Sequence, residues 1–334
     1  MFEQIEKTTK QLQGVQAQLT QLLYISAIEA LVLIFEQLNQ QTDASLEELP
    51  SEVKADLVAA IEAAQFKDLS VADKRQVIQF LLVSAMREDG LPANYQTTPD
   101  AIGMWVGFIA EKFLTTEQPA HVLDLGVGSG NLLATVQQVL NTADIDVIGH
   151  GIDNDDTLLT LASGVGALLG NPWQLTLADA VATAGTGTND LVISDLPIGY
   201  YPKTVPAEFT TKAAAEKTFV HHLLLEQAVN NLRPGGLAIV VVPADLFDSS
   251  QADQVLAWLQ TPDVYFQALL KLPAKLFINP AAAKNLLILQ RAGGDASQAQ
   301  PVLLGQIPEV TNRSGNQTFI KEYTDWAIKN RINH

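Results

Sequence analysis

Up to residue 92 the apolar positions recur at helical spacing. Leu12, Leu19, Leu22 and Leu23 lead into an apolar run over residues 25–35, which predicts one long helix or two. Pro50-Ser51-Glu52 opens another helix, with Val53, Leu57, Ala60, Ile61 and Ala64 at helical spacing. Residues 71–86 form a third unit with Val77, Ile78, Leu81, Leu82 and Ala85 on one face, and Glu88-Asp89-Gly90-Leu91-Pro92 closes it with turn residues. From residue 93 the period changes. Short apolar runs at 121–126, 146–153, 173–179, 189–195 and 237–243 are separated by helical stretches, and 265–272 and 285–290 are a sixth and a seventh. Strand–helix alternation with continuous apolar strands predicts an α/β fold whose parallel sheet is covered on both faces. The expected organisation is a helical N-terminal domain at 1–92 and an α/β domain at 93–334.

Composition narrows the chemistry. The 334 residues carry 20 Lys and Arg against 37 Asp and Glu, a net charge of −17, so no global attraction draws the chain to nucleic acid or anionic lipid. There is no Cys, which excludes disulfides, zinc–thiolate sites and thiol nucleophiles. No metal site is expected. The N-terminus lacks the pattern of a signal peptide. Residues 19–38 approach the length of a membrane span, but Gln21, Glu29 and Glu36 interrupt them. They read as a buried or dimer-forming helix in a cytoplasmic protein, with a homodimer through the N-terminal helices as the expected assembly.

Candidate chemistry collects at strand ends. In residues 122–133, VLDLGVGSGNLL, Asp124 precedes a loop with Gly126, Gly128 and Gly130, and the spacing is G-x-G-x-G. Such a loop lets backbone approach a nucleotide-like ligand closely. Asp153, followed by Asn154, ends the second strand, where a carboxylate can accept both hydroxyls of a ribose. Asp155 and Asp156 read as helix-capping acids. Asp179, followed by Ala180, ends the third strand, placed to meet the edge of an adenine. These three strand-end acids, in order around one glycine loop, favour a nucleoside-bearing cofactor.

These residues resemble class I S-adenosylmethionine-dependent methyltransferases, over most of residues 93–334. The resemblance implies a Rossmann-like methyltransferase fold with a mostly parallel seven-stranded sheet and an antiparallel last strand. It also implies S-adenosylmethionine as cofactor. Asp124 and the Gly126, Gly128 and Gly130 loop would pass its methionine part, Asp153 and Asn154 its ribose, and Asp179 and Ala180 its adenine.

Residues 193–202, ISDLPIGYYP, resemble the [Asn/Asp/Ser]-Pro-Pro-aromatic motif of amino-group methylases. In that motif the first side chain and the second residue's carbonyl accept hydrogen bonds from a planar nitrogen, and the aromatic stacks on the planar group. Those roles fall to Asp195, to Leu196 in place of the first Pro, and to Pro197; Ile198 replaces the aromatic, and Tyr200 or Tyr201 is expected to supply the stacking face. Thr98-Pro99, in the segment from Tyr95 through Gln96 to Ile102, resembles the Thr-Pro segment of adenine-specific DNA methylases, including modification subunits of type I restriction systems, where it packs at the methionine end of the cofactor. Residues 271–291 resemble the strand, loop and hairpin strand that end their catalytic domain. His221 and His222 read as helix-start packing, and Arg233-Pro234-Gly235-Gly236 as the turn into the fifth strand.

The expected activity is methylation of a planar nitrogen. The alternatives are a protein-glutamine or ribosomal-RNA base methyltransferase and a cofactor-binding regulatory protein without catalysis. No segment after 291 reads as a DNA target-recognition domain, so a DNA substrate is expected to need a partner subunit, and RNA or protein is the other substrate class.

Overall fold

The computed structural model describes residues 2–41, 46, 49–92, 95, 97–214, 217–277, 279 and 282–332. Gln96 of the Thr-Pro segment, and Ile278, Pro280 and Ala281 of the 271–291 stretch, lie outside the described residues.

In chain order the elements are α1 (Phe2–Leu23), α2 (Ala27–Leu38), α3 (Ser51–Ala63), α4 (Val71–Glu88), α5 (Asp100–Phe113), β1 (Ala120–Leu125), α6 (Asn131–Thr142), β2 (Val147–Asp153), α7 (Asp156–Leu168), β3 (Gln174–Leu177), β4 (Asn189–Asp195), α8 (Val220–Asn231), β5 (Leu232–Pro243), α9 (Ala252–Trp258), β6 (Val264–Lys271), β7 (Lys284–Arg291), β8 (Leu303–Gln306) and α10 (Arg313–Lys329). The sheet order is β3-β2-β1-β4-β5-β7-β6-β8. β1, β2, β4 and β5 run parallel, and β7 is antiparallel to β5 and to β6. The expected seven strands are present, and β8 adds an eighth, parallel to β6. The turn expected at Arg233-Pro234-Gly235-Gly236 is a bulge within β5: Leu232 pairs with Asn189 and Leu237 with Leu191, so five residues of β5 advance against two of β4.

Contacts group the chain into two compact units. The first comprises 1–97, 127–134 and 155–177, and therefore holds more than the helical segment read up to residue 92. Its α1 buries Ile5, Thr8, Leu12, Val15 and Leu19, the three–four alternation of one helical stripe. The apolar stretch at 19–38 is divided between two helices that bend by 116° at the break 24–26, so that residues 27–35 of the run all lie in α2. The break is specified locally. Ser26 caps α2 by accepting from Glu29 N at 3.1 Å, and Glu29 accepts in return from Ser26 N at 2.8 Å. Glu29, which counted against a membrane span, is thus half of a capping box. Asp89, just past α4, accepts from Ala27 N at 2.8 Å and Ile28 N at 2.9 Å, placing a carboxylate on the positive end of α2.

α2 is buried on nearly every side, with Leu31 and Ile34 fully enclosed. It packs on α7, where a Cβ at Gly164 would stand 3.1 Å from that of Phe35, and Asn39 Nδ2 donates to Gly164 O at 3.2 Å. The apolar stretch is therefore covered within the chain and needs no second copy. Among the described residues no single helix is long and apolar enough to cross a membrane.

The second unit comprises 98–126, 135–154 and 178–334 and contains β1, β2 and β4 through β8. On one face of its sheet the core sets Val192 of β4 and Ala238 and Val240 of β5 against Leu225 of α8, all fully buried. α5 lies close on α6, because a Cβ at Gly103 or Gly107 would stand 2.8 Å from Thr135 Cγ2 or 2.7 Å from Val139 Cβ. That approach seats the Thr98-Pro99 corner where α5 begins.

Removing the Asp89 cap should be measurable. Asp89→Ala leaves two amide donors at the start of α2 without their carboxylate and should cost about 1–2 kcal/mol in denaturant unfolding. An unfolding midpoint equal to wild type would contradict this role.

Candidate active site

Parallel strands place their C-terminal ends on one edge of a sheet, where open α/β folds bind ligands. Pairing aligns Asp124 with Ile193 and Leu125 with Ile152, so Asp124, Asp153 and Asp195 come to the same edge. Asp124 is almost wholly buried, and neither carboxylate oxygen has a hydrogen-bond partner among the described residues. Burial pushes its pKa well above the ordinary value, and the charges of Asp153 and Asp195 push it further. Asp153 is half-buried; its carbonyl accepts from Ala178 N at 2.8 Å, which fixes the end of β2. Asn154 beside it is exposed.

The loop after β1 separates the roles of its glycines. Gly126 (φ +85°), Gly128 (φ +51°) and Gly130 (φ +81°) all occupy the left-handed region, which only glycine adopts without strain. A Cβ at Gly126 would meet only Ser194 Oγ, at 3.9 Å, and one at Gly128 would meet no atom within 4 Å. Gly126 N donates to Ile152 O at 2.8 Å. Gly130 serves packing instead, since a Cβ there would stand 2.5 Å from the Trp173 ring.

Asp179 has three donors. Tyr201 Oη and Lys203 Nζ each reach Oδ2 at 2.9 Å, and Val181 N reaches Oδ1 at 3.0 Å. Burial pushes its carboxyl up, but Lys203, Tyr201 and the Val181 amide together hold it below the ordinary value. The adjacent Ala180 is half-buried against the core. Burial and the neighbouring Asp179 raise the Tyr201 phenol to about 12. The two adjacent tyrosines are placed differently. Tyr201 is enclosed with its hydroxyl on Asp179, whereas Tyr200 is half exposed and backed by Phe219, with ring centroids 4.6 Å apart and planes 11° from parallel.

The backing is itself fixed. Tyr201 N donates to Thr218 O and Val220 N to Gly199 O, and Gln251 Oε1 accepts from Phe219 N at 3.1 Å. His221 stacks behind Phe219 at 5.2 Å, and His222 stands edge-on to His221. Burial lowers His221 to about 4 and, with His221 beside it, His222 to about 3, so both are neutral packing residues at neutral pH.

Asp195 ends β4. Thr98 Oγ1 donates to its Oδ2 at 3.0 Å, and Lys284 Nζ lies 2.5 Å from its Oδ1. The Thr-Pro segment and the fourth-strand motif therefore meet directly; Pro99 sits at the N-cap of α5 with its carbonyl accepting from Ile102 N. Leu196 buries its side chain in the core and donates its N–H to Val241 O at 3.1 Å, anchoring the peptide whose carbonyl follows, and Pro197 is half-buried. Lys284, Lys203 and Phe219 were not singled out from the sequence. A lone lysine or phenylalanine outside a motif carries no signal until the sheet order is known.

The residues fit S-adenosylmethionine. A buried carboxylate without a partner suits the cofactor's cationic methionine end, the open space over Gly126 admits its chain, and the half-buried Asp153 suits a ribose diol.

Comparison with known proteins bears on this reading. The model of a family described as N-6 DNA Methylase matches residues 94–325. The Bacillus subtilis protein YtxK, described as uncharacterized, is 33% identical over 311 residues, covering 92% of this chain and 93% of its own. A Listeria monocytogenes structure described as a class I S-adenosylmethionine-dependent methyltransferase superposes with a TM-score of 0.86 at 29% identity, covering 98% of this chain and 99% of its own. A Pseudoalteromonas atlantica tRNA1(Val) (adenine(37)-N6)-methyltransferase is 26% identical over 183 residues, covering 52% of this chain and 66% of its own.

Asp124 links stability to ligand binding. A carboxyl with a raised folded pKa binds more protons than the unfolded chain does, so stability falls as pH rises through the window between the two values. Asp124→Asn should therefore raise the Tm of the ligand-free protein on the alkaline side of that window, while weakening S-adenosylmethionine binding. In wild type the binding should weaken as the pH is lowered and Asp124 takes up a proton. Calorimetry that finds an affinity independent of pH would count against this site.

Proposed function

The chain belongs to the N-6 DNA methylase family, and from that membership we propose that it methylates the exocyclic nitrogen of adenine in nucleic acid, with Asp195 as the acceptor that holds the nitrogen. It is an S-adenosylmethionine-dependent methyltransferase acting on an adenine-like nitrogen. The observation that carries the assignment of Asp195 is its contact with Thr98, because the hydroxyl of one family-like segment meets the carboxylate of the other.

S-adenosylmethionine supplies an electrophilic methyl group on a sulfonium. The protein's task is to make a poor nucleophile reactive. The lone pair of an aromatic amine is delocalised into its ring, so the nitrogen must become pyramidal before it attacks. Asp195 accepts one N–H and the Leu196 carbonyl accepts the other, which favours that geometry and aims the lone pair. Tyr200, held flat against Phe219, covers one face of a base taken out of its stack. Pro197 stiffens the turn between the acceptors and this ring. Asp179 and Ala180 border the adenine of the cofactor, Asp153 and Asn154 its ribose, and Asp124 with Gly126 its methionine end.

The family description makes DNA the first substrate to test, and the tRNA adenine specificity of one relative makes RNA the second. A net charge of −17 supplies little attraction to a duplex, which favours a partner that brings the nucleic acid or a substrate already unstacked.

Tritiated methyl transfer into a cell extract, fractionated into DNA, RNA and protein, tests the proposal. Label should enter nucleic acid as N6-methyladenine. Asp195→Ala should lower the rate by about 10²–10³-fold, with affinity for S-adenosylhomocysteine changed by less than about twofold. Label in protein alone, or equal labelling by the variant, would overturn it. Tyr200→Ala should raise KM for the nucleic acid more than it lowers kcat, since a stacked base is worth about 1–3 kcal/mol; an unchanged KM would remove Tyr200 from the site.

A further inference from the structure

The strongest group that the proposed chemistry leaves unused is Lys284. Its ammonium lies 2.5 Å from Asp195 Oδ1, and the two side chains retain only 20% and 19% exposure. The sheet topology explains its presence. β4 and β5 end at the ligand edge, so they can deliver only their last residues there. β7 runs the other way, with Lys284 opposite Pro243 and Asn285 opposite Val242, so its first residue arrives at that same edge. From there the side chain crosses the end of β5 to reach β4.

An aspartate at this position differs from the asparagine that the motif also allows by a full negative charge, and Asp124 and Asp153 already lie nearby. A partly buried carboxylate among other carboxylates needs a counter-charge. A carboxylate also offers about four lone-pair directions. Lys284 takes one on Oδ1 and Thr98 one on Oδ2, which fixes the plane of the group and leaves the others for a target N–H.

We infer that Lys284 is the positioning residue of the methyl-transfer site: its ammonium supplies the counter-charge that lets an aspartate serve as the amine acceptor, and with Thr98 it locks the carboxylate in the orientation that receives the target nitrogen. The inference rests on Asp195 being that acceptor. Lys284 acts through Asp195, so its effect is on rate rather than on cofactor affinity. It also makes the acceptor pair neutral, which suits an uncharged N–H donor and disfavours a cationic amine such as a lysine side chain.

Steady-state kinetics with tritiated S-adenosylmethionine and undermethylated genomic DNA, or total RNA if label enters RNA, separate the roles. Lys284→Met should lower kcat by about 10- to 100-fold, a misplaced acceptor rather than a lost one, with S-adenosylhomocysteine affinity changed by less than about twofold. Lys284→Arg should restore most of kcat. Coupling is the decisive readout: in an Asp195→Asn background the charge that needs countering is gone, and Lys284→Met should then change kcat by less than about threefold. Wild-type kcat in Lys284→Met, or an equal loss in both backgrounds, would overturn the inference. If Asp195→Ala itself methylates at the wild-type rate, the acceptor assignment fails instead. Crystal structures of wild type and Lys284→Met give a readout independent of activity. The Asp195 carboxylate should shift by about 1 Å or turn out of its bond to Thr98, and an unchanged carboxylate would overturn the positioning role.

Discussion

Like charge at one edge of the sheet is the constraint on which the site depends. Parallel strands cannot avoid bringing their C-terminal ends together, and β1, β2 and β4 each carry an aspartate there. The protein treats its acids differently. Asp195 receives Lys284 and Thr98, and Asp179 receives Lys203, Tyr201 and a backbone amide. Asp124, the most deeply buried of the four, receives nothing among the described residues. A buried ionised carboxylate without compensation is costly, and burial accordingly raises the group's affinity for a proton. A cationic ligand would offset that cost, so the same burial favours positive charge beside Asp124.

Much of this was legible because it is local in sequence. A strand running into glycines, an acid at a strand end and a short turn after the fourth strand are each written in consecutive residues. Thr98, Asp124, Asp153, Asp179 and Asp195 could therefore be named before any strand was paired. The structure divides groups that the pattern treats as equal. Gly130 has the same backbone conformation as Gly126 and Gly128, but its missing side chain makes room for Trp173, forty-three residues on. Tyr200 and Tyr201 are adjacent, and only the pairing of residues 199–201 with 218–220 decides which ring faces outward.

What stayed hidden depends on elements distant in the chain. The break between α1 and α2 did carry a local signal, Ser26-Ala27-Ile28-Glu29, but the continuous apolar run around it masks the capping box. Asp89 capping a helix sixty-two residues earlier has no such signal. Nor does the packing of α2 on α7, which turns an apolar stretch that suggested a dimer into the interior of one chain.

Lys284 is the extreme case, eighty-nine residues from the carboxylate it meets. Its position follows from one topological fact, the reversal of β7 within an otherwise parallel run. A parallel strand in that place would put its first residue at the opposite edge, and the Asp195 charge would have no counterpart from the sheet. The reversed strand thus does more than close the core: it turns the start of a strand into a contributor to an edge otherwise built from strand ends. An acidic acceptor and an antiparallel β7 beginning in lysine are, on this view, one structural solution. Changing the acceptor to an amide should release the first residue of β7 from any constraint beyond packing.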